Sequence, residues 1–203
     1  MSIFATRTAR IGVPLVMTLA LAGCGVNTIP TKEEAAKAAW AQVENQYQRR
    51  ADLIPNLVAT VQGAAKQEQA TLTAVIDARA KATQVTVDPT KLSDPAVMEQ
   101  YQAAQGNLSS ALGRLLVSVE KYPELKSNEG FLQLQSQLEG TENRITIARQ
   151  DYNTAVQDYN TTIRTFPDII GAKVIHGAKP MIPYQATTPG AEAAPQLDMA
   201  PTG

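Results

Sequence analysis

Apolar residues recur along this chain at intervals of three, four and seven, the spacing of helices that each bury one face. Ala36, Trp40, Val43 and Tyr47 mark a first helix. Its start is predicted at Thr31, because Thr31-Lys-Glu-Glu34 reads as a capping box in which the Thr hydroxyl and Glu34 each satisfy a free backbone N–H. The stripe runs to about Arg50 and then meets Pro55. A proline inside a helix removes one hydrogen bond and clashes with the carbonyl four residues back, at ~3 kcal/mol. In a first turn it fits, with Asp52 as N-cap, so the pattern predicts a break at 51–54 and a second helix from there. The alternative is one long helix kinked at Pro55.

The second helix carries Leu57, Val61, Ala64, Leu72, Val75 and Ile76 and fades after Ala82. Two Asp-Pro pairs, Asp88-Pro89 and Asp94-Pro95, make the next stretch a loop, and Asp94 caps a third helix with Pro95 at its first position. That helix shows Met98, Tyr101, Leu108, Leu112, Leu115, Val119 and Tyr122. A fourth begins at Ser127-Asn128. Phe131, Leu138, Ile145, Tyr152, Tyr159 and Phe166 then fall at strict intervals of seven, the period of a left-handed supercoiled seam, with Leu134, Ala148 and Ala155 on the second seam. Asp-Tyr-Asn-Thr occurs twice, at 151–154 and 158–161, one heptad apart. Four amphipathic helices, short connections and no strand pattern predict an all-α fold, an antiparallel up-and-down four-helix bundle over residues 31–184. Ile169-Ile170 and Val174-Ile175 are expected to pack on the bundle end. Residues 185–203, rich in Ala, Pro and Thr, read as a disordered tail.

The N-terminus breaks the helical pattern. Arg7 and Arg10 precede an apolar stretch, Ile11–Leu21, that ends in Leu21-Ala22-Gly23-Cys24. Charge, short apolar core and small residues make a secretory signal of residues 1–23. Leu21, Ala22 and Gly23 before Cys24 resemble the bacterial lipobox, which implies a covalent lipid on the Cys24 thiol, cleavage before it, and residues 24–30 as a lipid-anchored linker. The competing reading is an uncut membrane anchor. Ile11–Val26 would span ~24 Å as a helix against a hydrocarbon core of ~30 Å, and its glycines and Pro14 weaken it further. Lipidation places the mature chain in the cell envelope, facing the periplasm or exterior. Gly25, where an Asp would favour inner-membrane retention, points to the outer membrane in a two-membrane bacterium.

Composition narrows the chemistry. The chain has 203 residues, 44% apolar and 5% aromatic, enough for one folded domain. Without residues 1–23 it carries 16 basic and 19 acidic side chains, and no basic run suggests a nucleic-acid partner. One Cys and one His exclude an internal disulfide and a standard zinc site. A di-iron bundle needs two Glu-x-x-His pairs, and the lone His176 lies outside the helices. No nucleophile elbow or phosphate loop is present, so no catalytic residue, metal or cofactor beyond the lipid is expected. The polar interruptions of the stripes include Glu68, Arg79, Glu142 and Arg149, read as a polar network that fixes register between helices. Asn45, Asn153 and Asn160 interrupt them too. Arg49, Arg50 and Asp52 read as a surface contact at a bundle end.

These residues also carry a resemblance. Asn45-Gln-x-Gln-Arg-Arg-Ala-Asp-Leu-Ile-Pro-Asn-Leu-Val58, Glu68, Ala78-Arg79, Tyr122-Pro-Glu-Leu-Lys-Ser-Asn128, Phe131-Leu-Gln-Leu-Gln135, Glu142-Asn-x-Ile145, Ala148-Arg149, Tyr152-Asn and Phe166-Pro167 follow one another as in the LemA family. The resemblance spans about Trp40 to Phe166. It implies a helical bundle held outside the cytoplasm by an N-terminal anchor, in that family commonly an uncut helix, where this chain has a lipobox. It implies no activity, substrate or cofactor. The expected role is a non-enzymatic scaffold or adaptor for other envelope proteins, with a ligand- or lipid-binding sensing module as the alternative.

Overall fold

The computed structural model describes residues 24–185. Residues 1–23, with lipobox positions Leu21, Ala22 and Gly23, lie outside the described residues, as do the tail from 186 and the side chain of Cys24. Among the described residues every regular element is helical: α1 (Cys24–Ala64), α2 (Gln69–Gln84), α3 (Pro95–Val119), the short α4 (Pro123–Lys126), α5 (Glu129–Thr162) and the short α6 (Asp168–Gly171). Lys66–Glu68 and Pro89–Lys91 are 3₁₀ turns, and Ala172–His176 is a single wide π turn. None of these helices is long and apolar enough to cross a membrane.

The four expected long helices are present, but the first division falls elsewhere. α1 runs unbroken through both Pro30 and Pro55 for 41 residues, about 60 Å at ~1.5 Å per residue. Residues 24–30 are therefore helical, and Thr31 does not cap: its hydroxyl donates back to the Asn27 carbonyl at 2.7 Å. The predicted break at 51–54 is absent. Pro55 offers no N–H to the Ala51 carbonyl, and Arg79 of α2 supplies the missing donor, its Nε standing 2.7 Å from that oxygen. The proline's ring is exposed on the outer face, so only the hydrogen bond needed replacing. The chain turns instead at 65–68. From Gln62 to Thr71 no large apolar side chain occurs, so nothing holds a continuing helix to the core.

The caps of the later helices follow their sequences. Asp94 accepts from the Ala96 and Val97 N–H groups, and Asn128 accepts from that of Phe131. α1 and α5 pack along most of their length, and α2 folds back on α1 and α3. Burial separates two apolar clusters. The distal one joins Ile54, Leu57 and Val61 of α1 to Leu72 and Val75 of α2, Leu108, Leu112 and Leu115 of α3, and Phe131 and Leu138 of α5. The proximal one, towards the start of α1, joins Trp40, Val43 and Tyr47 to Met98 and Tyr101 of α3 and Ile145, Tyr152 and Tyr159 of α5. No residue of α2 enters the proximal cluster. Val87 and Leu92 of the 85–94 loop, with Ala172, Met181 and Tyr184 from the chain's far end, fill that place. Four helices thus share only the distal core, and the proximal core is three helices closed by extended chain.

Five expected core positions are on the outside. Ile76 is 49% exposed, because Leu72 and Val75 take the inner face of the short α2. Phe166 breaks the heptad seam, since α5 ends at Thr162 and the chain turns away. Ile170, Val174 and Ile175 are exposed and do not pack on the bundle end, because Gly171 and Ala172 make that contact on the opposite face.

Candidate functional site

Two constructions gather polar side chains, both built around the proximal core. The first is a layer between the two apolar clusters. Arg50 continues the buried spacing Val43, Tyr47, Arg50, Ile54, Leu57, and it is wholly buried. Its guanidinium donates to the Ser109 Oγ at 2.7 Å, the Glu142 carboxylate at 2.8 Å, the Gln105 side-chain oxygen at 2.9 Å and the Gln105 carbonyl at 3.2 Å. Gln105 passes the chain on, its amide reaching the Ala82 carbonyl at the end of α2. The Arg50 guanidinium also lies 4.9 Å from the Tyr47 ring centre. One side chain therefore ties α1, α3 and α5 at one height, and Gln105 adds α2. The Glu142 side chain is 47% exposed, so the charge pair is buried at one end and wet at the other.

The second construction is a clasp. Gly177, the one described residue with a positive φ, at 56°, ends the π turn in the left-handed conformation glycine tolerates and sends the chain back along α5. Residues 178–185 then run extended. Asn160 and Asn153 grip this strap the same way. Asn160 donates to the Met181 carbonyl at 2.8 Å and accepts from the Met181 N–H at 2.8 Å. Asn153 does so with Tyr184 at 2.9 and 2.7 Å. The spacing is physical. Seven helical residues rise ~10.5 Å and three extended residues cover ~10 Å, so asparagines one heptad apart meet every third residue of a strand. Pro180 and Pro183 hold the strap extended. Tyr152 Oη donates to the Ile182 carbonyl, the Gln185 N–H donates to Gln102, and the Ile182 N–H donates to the Leu92 carbonyl. All these bonds go to main-chain atoms.

Side-chain selectivity enters at Tyr184. Its ring lies under the Arg149 guanidinium at 4.2 Å, and its hydroxyl shares a 2.6 Å hydrogen bond with that of Tyr47. It completes an aromatic cluster in which Trp40 meets Tyr101 and Tyr152 edge-on at 5.1 Å each and Tyr47 meets Tyr101 at 5.8 Å. Burial holds the hydroxyls of Tyr47, Tyr101, Tyr152 and Tyr184 above the ordinary tyrosine range.

The residues expected to form one network are separated. Glu142 belongs to the Arg50 layer. Arg149 donates to the Gln185 carbonyl at 3.0 Å and serves the strap. Arg79 heals the Pro55 gap, and Glu68 accepts from Tyr122 and Thr71 at 3.2 Å each. Arg50 is corrected from surface contact to buried centre, at mid-bundle and not at an end. Its neighbours Arg49 and Asp52 are exposed, Asp52 accepting from Gln48 at 2.7 Å. Beside the layer a shallow cleft is lined by Glu44, Tyr47, Gln48, Thr83 and Gln105. Among the described residues no group of three or more His, Cys, Asp or Glu is placed to hold a metal. His176 is exposed on the π turn. Gln102, Gln105 and Tyr184 were missed by the sequence reading. Gln105 lies at a seam position between Tyr101 and Leu108, and the paired Asp-Tyr-Asn-Thr motif signals the clasp.

Comparison with known proteins gives one family and one set of relatives. The model of the LemA family matches residues 39–199. Magnetosome protein MamQ 2 and magnetosome protein MamQ 1 of Paramagnetospirillum magneticum are each 29% identical over 145 residues, covering 64% of this chain and 53% of theirs. Magnetosome protein MamQ of Magnetospirillum gryphiswaldense is 26% identical over the same length. The chain spans about half the length of these curated relatives.

Proposed function

The chain belongs to the LemA family, and on that premise we propose that it is a membrane-associated, non-enzymatic envelope protein that works as a scaffold or adaptor for other envelope proteins. The observation that carries this reading is the clasp. A groove of α1, α3 and α5 holds an extended segment through side chains directed at its backbone, with one aromatic pocket at Tyr184. That is the logic by which recognition modules hold extended peptides: main-chain bonds supply affinity and one pocket supplies choice. The strap fills the groove in cis, and an extended segment of a partner fills it in trans when the strap is out. The two terminal nitrogens of the Arg50 guanidinium are held by Ser109, Glu142 and Gln105, and the Gln105 amide by the Ala82 carbonyl, which suits a rigid platform. Membrane association is read from the lipobox at Leu21–Cys24, with a diacylglycerol thioether on Cys24, and the Gly25 signal favours the outer membrane in a two-membrane bacterium.

A photo-reactive residue at exposed Gln157, beside the groove, tests the adaptor role in intact cells. One or a few envelope proteins should recur in the cross-linked material, more strongly with Tyr184→Ala, which loosens the strap. No recurrent partner in either background removes the reading. Cys24→Ser tests the anchor independently: the lipid mass should vanish and the protein should leave the membrane fraction.

A further inference from the structure

The chain between α5 and the strap carries apolar side chains that no core uses. Phe166 is 70% exposed, Ile170 57%, Val174 79% and Ile175 59%. Ile170 and Val174 are four apart across α6 and the π turn, Phe166 precedes them in the turn before Pro167, and Gly171 and Ala172 between them are buried. The other large apolar residues exposed among the described ones, Ile76, Val117, Leu132 and Ile147, are scattered over α2, α3 and α5. Only here are four brought together within ten residues. Arg164, Lys173 and Lys179 flank them, all exposed, against the single carboxylate of Asp168.

The height of this patch follows from two ion pairs. Lys32 meets Asp158 at 2.7 Å and Arg50 meets Glu142 at 2.8 Å, so α1 and α5 run antiparallel with their numbers changing nearly one for one. Continuing that register brings the first residues of α1 level with about residues 165–168. The apolar patch therefore stands beside the start of α1, and α6 packs on α1. From that point the sequence leads back into the apolar stretch Ile11–Leu21. A lipid on Cys24 and an uncut anchor both bring the bilayer to this end and to no other.

We propose that residues 166–175 form a second membrane contact, in which Phe166, Ile170, Val174 and Ile175 enter the boundary between headgroups and acyl chains while Arg164, Lys173 and Lys179 meet lipid phosphates. An apolar face bordered by cations is the composition of interfacial segments, and anionic lipid attracts it further. A tether at one residue leaves a rod free to swivel; a second contact fixes its direction. The bundle then stands with its proximal core at the membrane, its clasp just above, and its distal core projecting away. The proposal rests on the membrane reading above.

The test uses the full-length chain reconstituted in vesicles of phosphatidylcholine with a minority of phosphatidylglycerol, the acyl chains brominated in one preparation. Val174→Trp and Val117→Trp each add one exposed indole, the second at the distal end of α3, while Trp40 stays as a buried background. Both variants should float with the vesicles. Brominated lipid should quench most of the emission added at 174 and leave that at 117 unchanged, and Lys173→Glu/Lys179→Glu should reduce the quenching. Flotation with equal quenching, or none, at both positions overturns the second contact and leaves the anchor standing. An indole at 174 that is blue-shifted yet unquenched overturns it too, because protein, a second copy included, then covers the patch. Failure to float removes the membrane reading and this proposal together.

Discussion

Arg79→Ala should destabilise the protein more while residue 55 is proline than when it is alanine. Without an N–H at 55, the Ala51 carbonyl depends on the Arg79 Nε at 2.7 Å. A hydrogen bond from a charged donor contributes ~1.5–3 kcal/mol, and Arg79 is only half-buried, so the lower end applies. Arg79→Ala also removes the packing of its aliphatic stem, a loss that is the same whatever stands at 55. Pro55→Ala gives Ala51 an ordinary intrahelical donor. On its own it relieves a penalty of ~3 kcal/mol in part, since Arg79 already offsets some of it, and it returns about 0.4–1 kcal/mol of freedom to the unfolded chain. The double-mutant cycle isolates the shared term, expected near 1 kcal/mol. Urea unfolding of the four proteins, followed by far-ultraviolet circular dichroism at one protein concentration, measures it. If Arg79→Ala costs the same with Ala at 55 as with Pro, within the ~0.3–0.5 kcal/mol of ordinary additivity, the arginine does not heal the proline and the account of α1 fails.

Three further outcomes follow from the same geometry. Glu142→Leu should cost more than Arg50→Met, up to ~3 kcal/mol, because it strands a buried guanidinium, whereas Glu142 left alone turns its half-exposed carboxylate to water; denaturation midpoints of the two single variants and the double variant rank them. Asn153→Ala and Asn160→Ala should each remove ~1–2 kcal/mol of strap closure, about tenfold faster hydrogen exchange at the Tyr184 and Met181 amides, with distal amides unchanged. Alkali should unfold the protein. An unfolded tyrosine loses its proton near pH 10 while the four buried hydroxyls keep theirs, so the native state binds more protons above that pH; stability is whole below pH ~10 and falls as pH rises past it. Tyrosinate absorbance that climbs fully before helicity is lost would contradict that sign.

Helix type, the number of long helices and the later caps were legible because they rest on local signals, Asp94-Pro95, Asn128 and the heptad run from Phe131 to Tyr159, whereas the short helices at 123–126 and 168–171 were not. The break in α1 was misplaced because proline is a strong local signal and its remedy is not local. Arg79 lies 28 residues from the Ala51 carbonyl it serves and acts only once α2 has folded back. The quieter signal, ten residues from Gln62 to Thr71 without a large apolar side chain, marks the true turn, since packing and not propensity sustains a helix. The same false break hid Arg50. With α1 continuous, Arg50 falls on the buried stripe between Tyr47 and Ile54; with a break at 51, it looked like a solvated helix end. Asn153 and Asn160 were visible as polar interruptions, but their partner is backbone, which carries no sequence signature.

The strap's place in the core decides what its release would do. The distal cluster takes nothing from beyond α5, so four helices bury it with or without the strap. The proximal cluster includes Met181 and Tyr184 among its buried members, and Tyr184 covers Tyr47 and, through it, Tyr101. Lifting the strap therefore uncovers an aromatic face on a frame that the Arg50 layer and the distal core still hold in register. Burying one large side chain contributes ~1.5–3 kcal/mol, so the strap, with two of them and a ladder of backbone bonds, opposes displacement by several kcal/mol. An incoming segment must match that ladder and supply its own aromatic for the Arg149–Tyr47 pocket. A segment with a tyrosine three residues after a large apolar residue, held extended by proline, meets the requirement, and a helical one does not. Competition by a synthetic peptide of residues 177–187 is the direct check: it should bind Tyr184→Ala more tightly than the parent chain, and equal affinity for both would mean that the strap and the peptide do not share the groove.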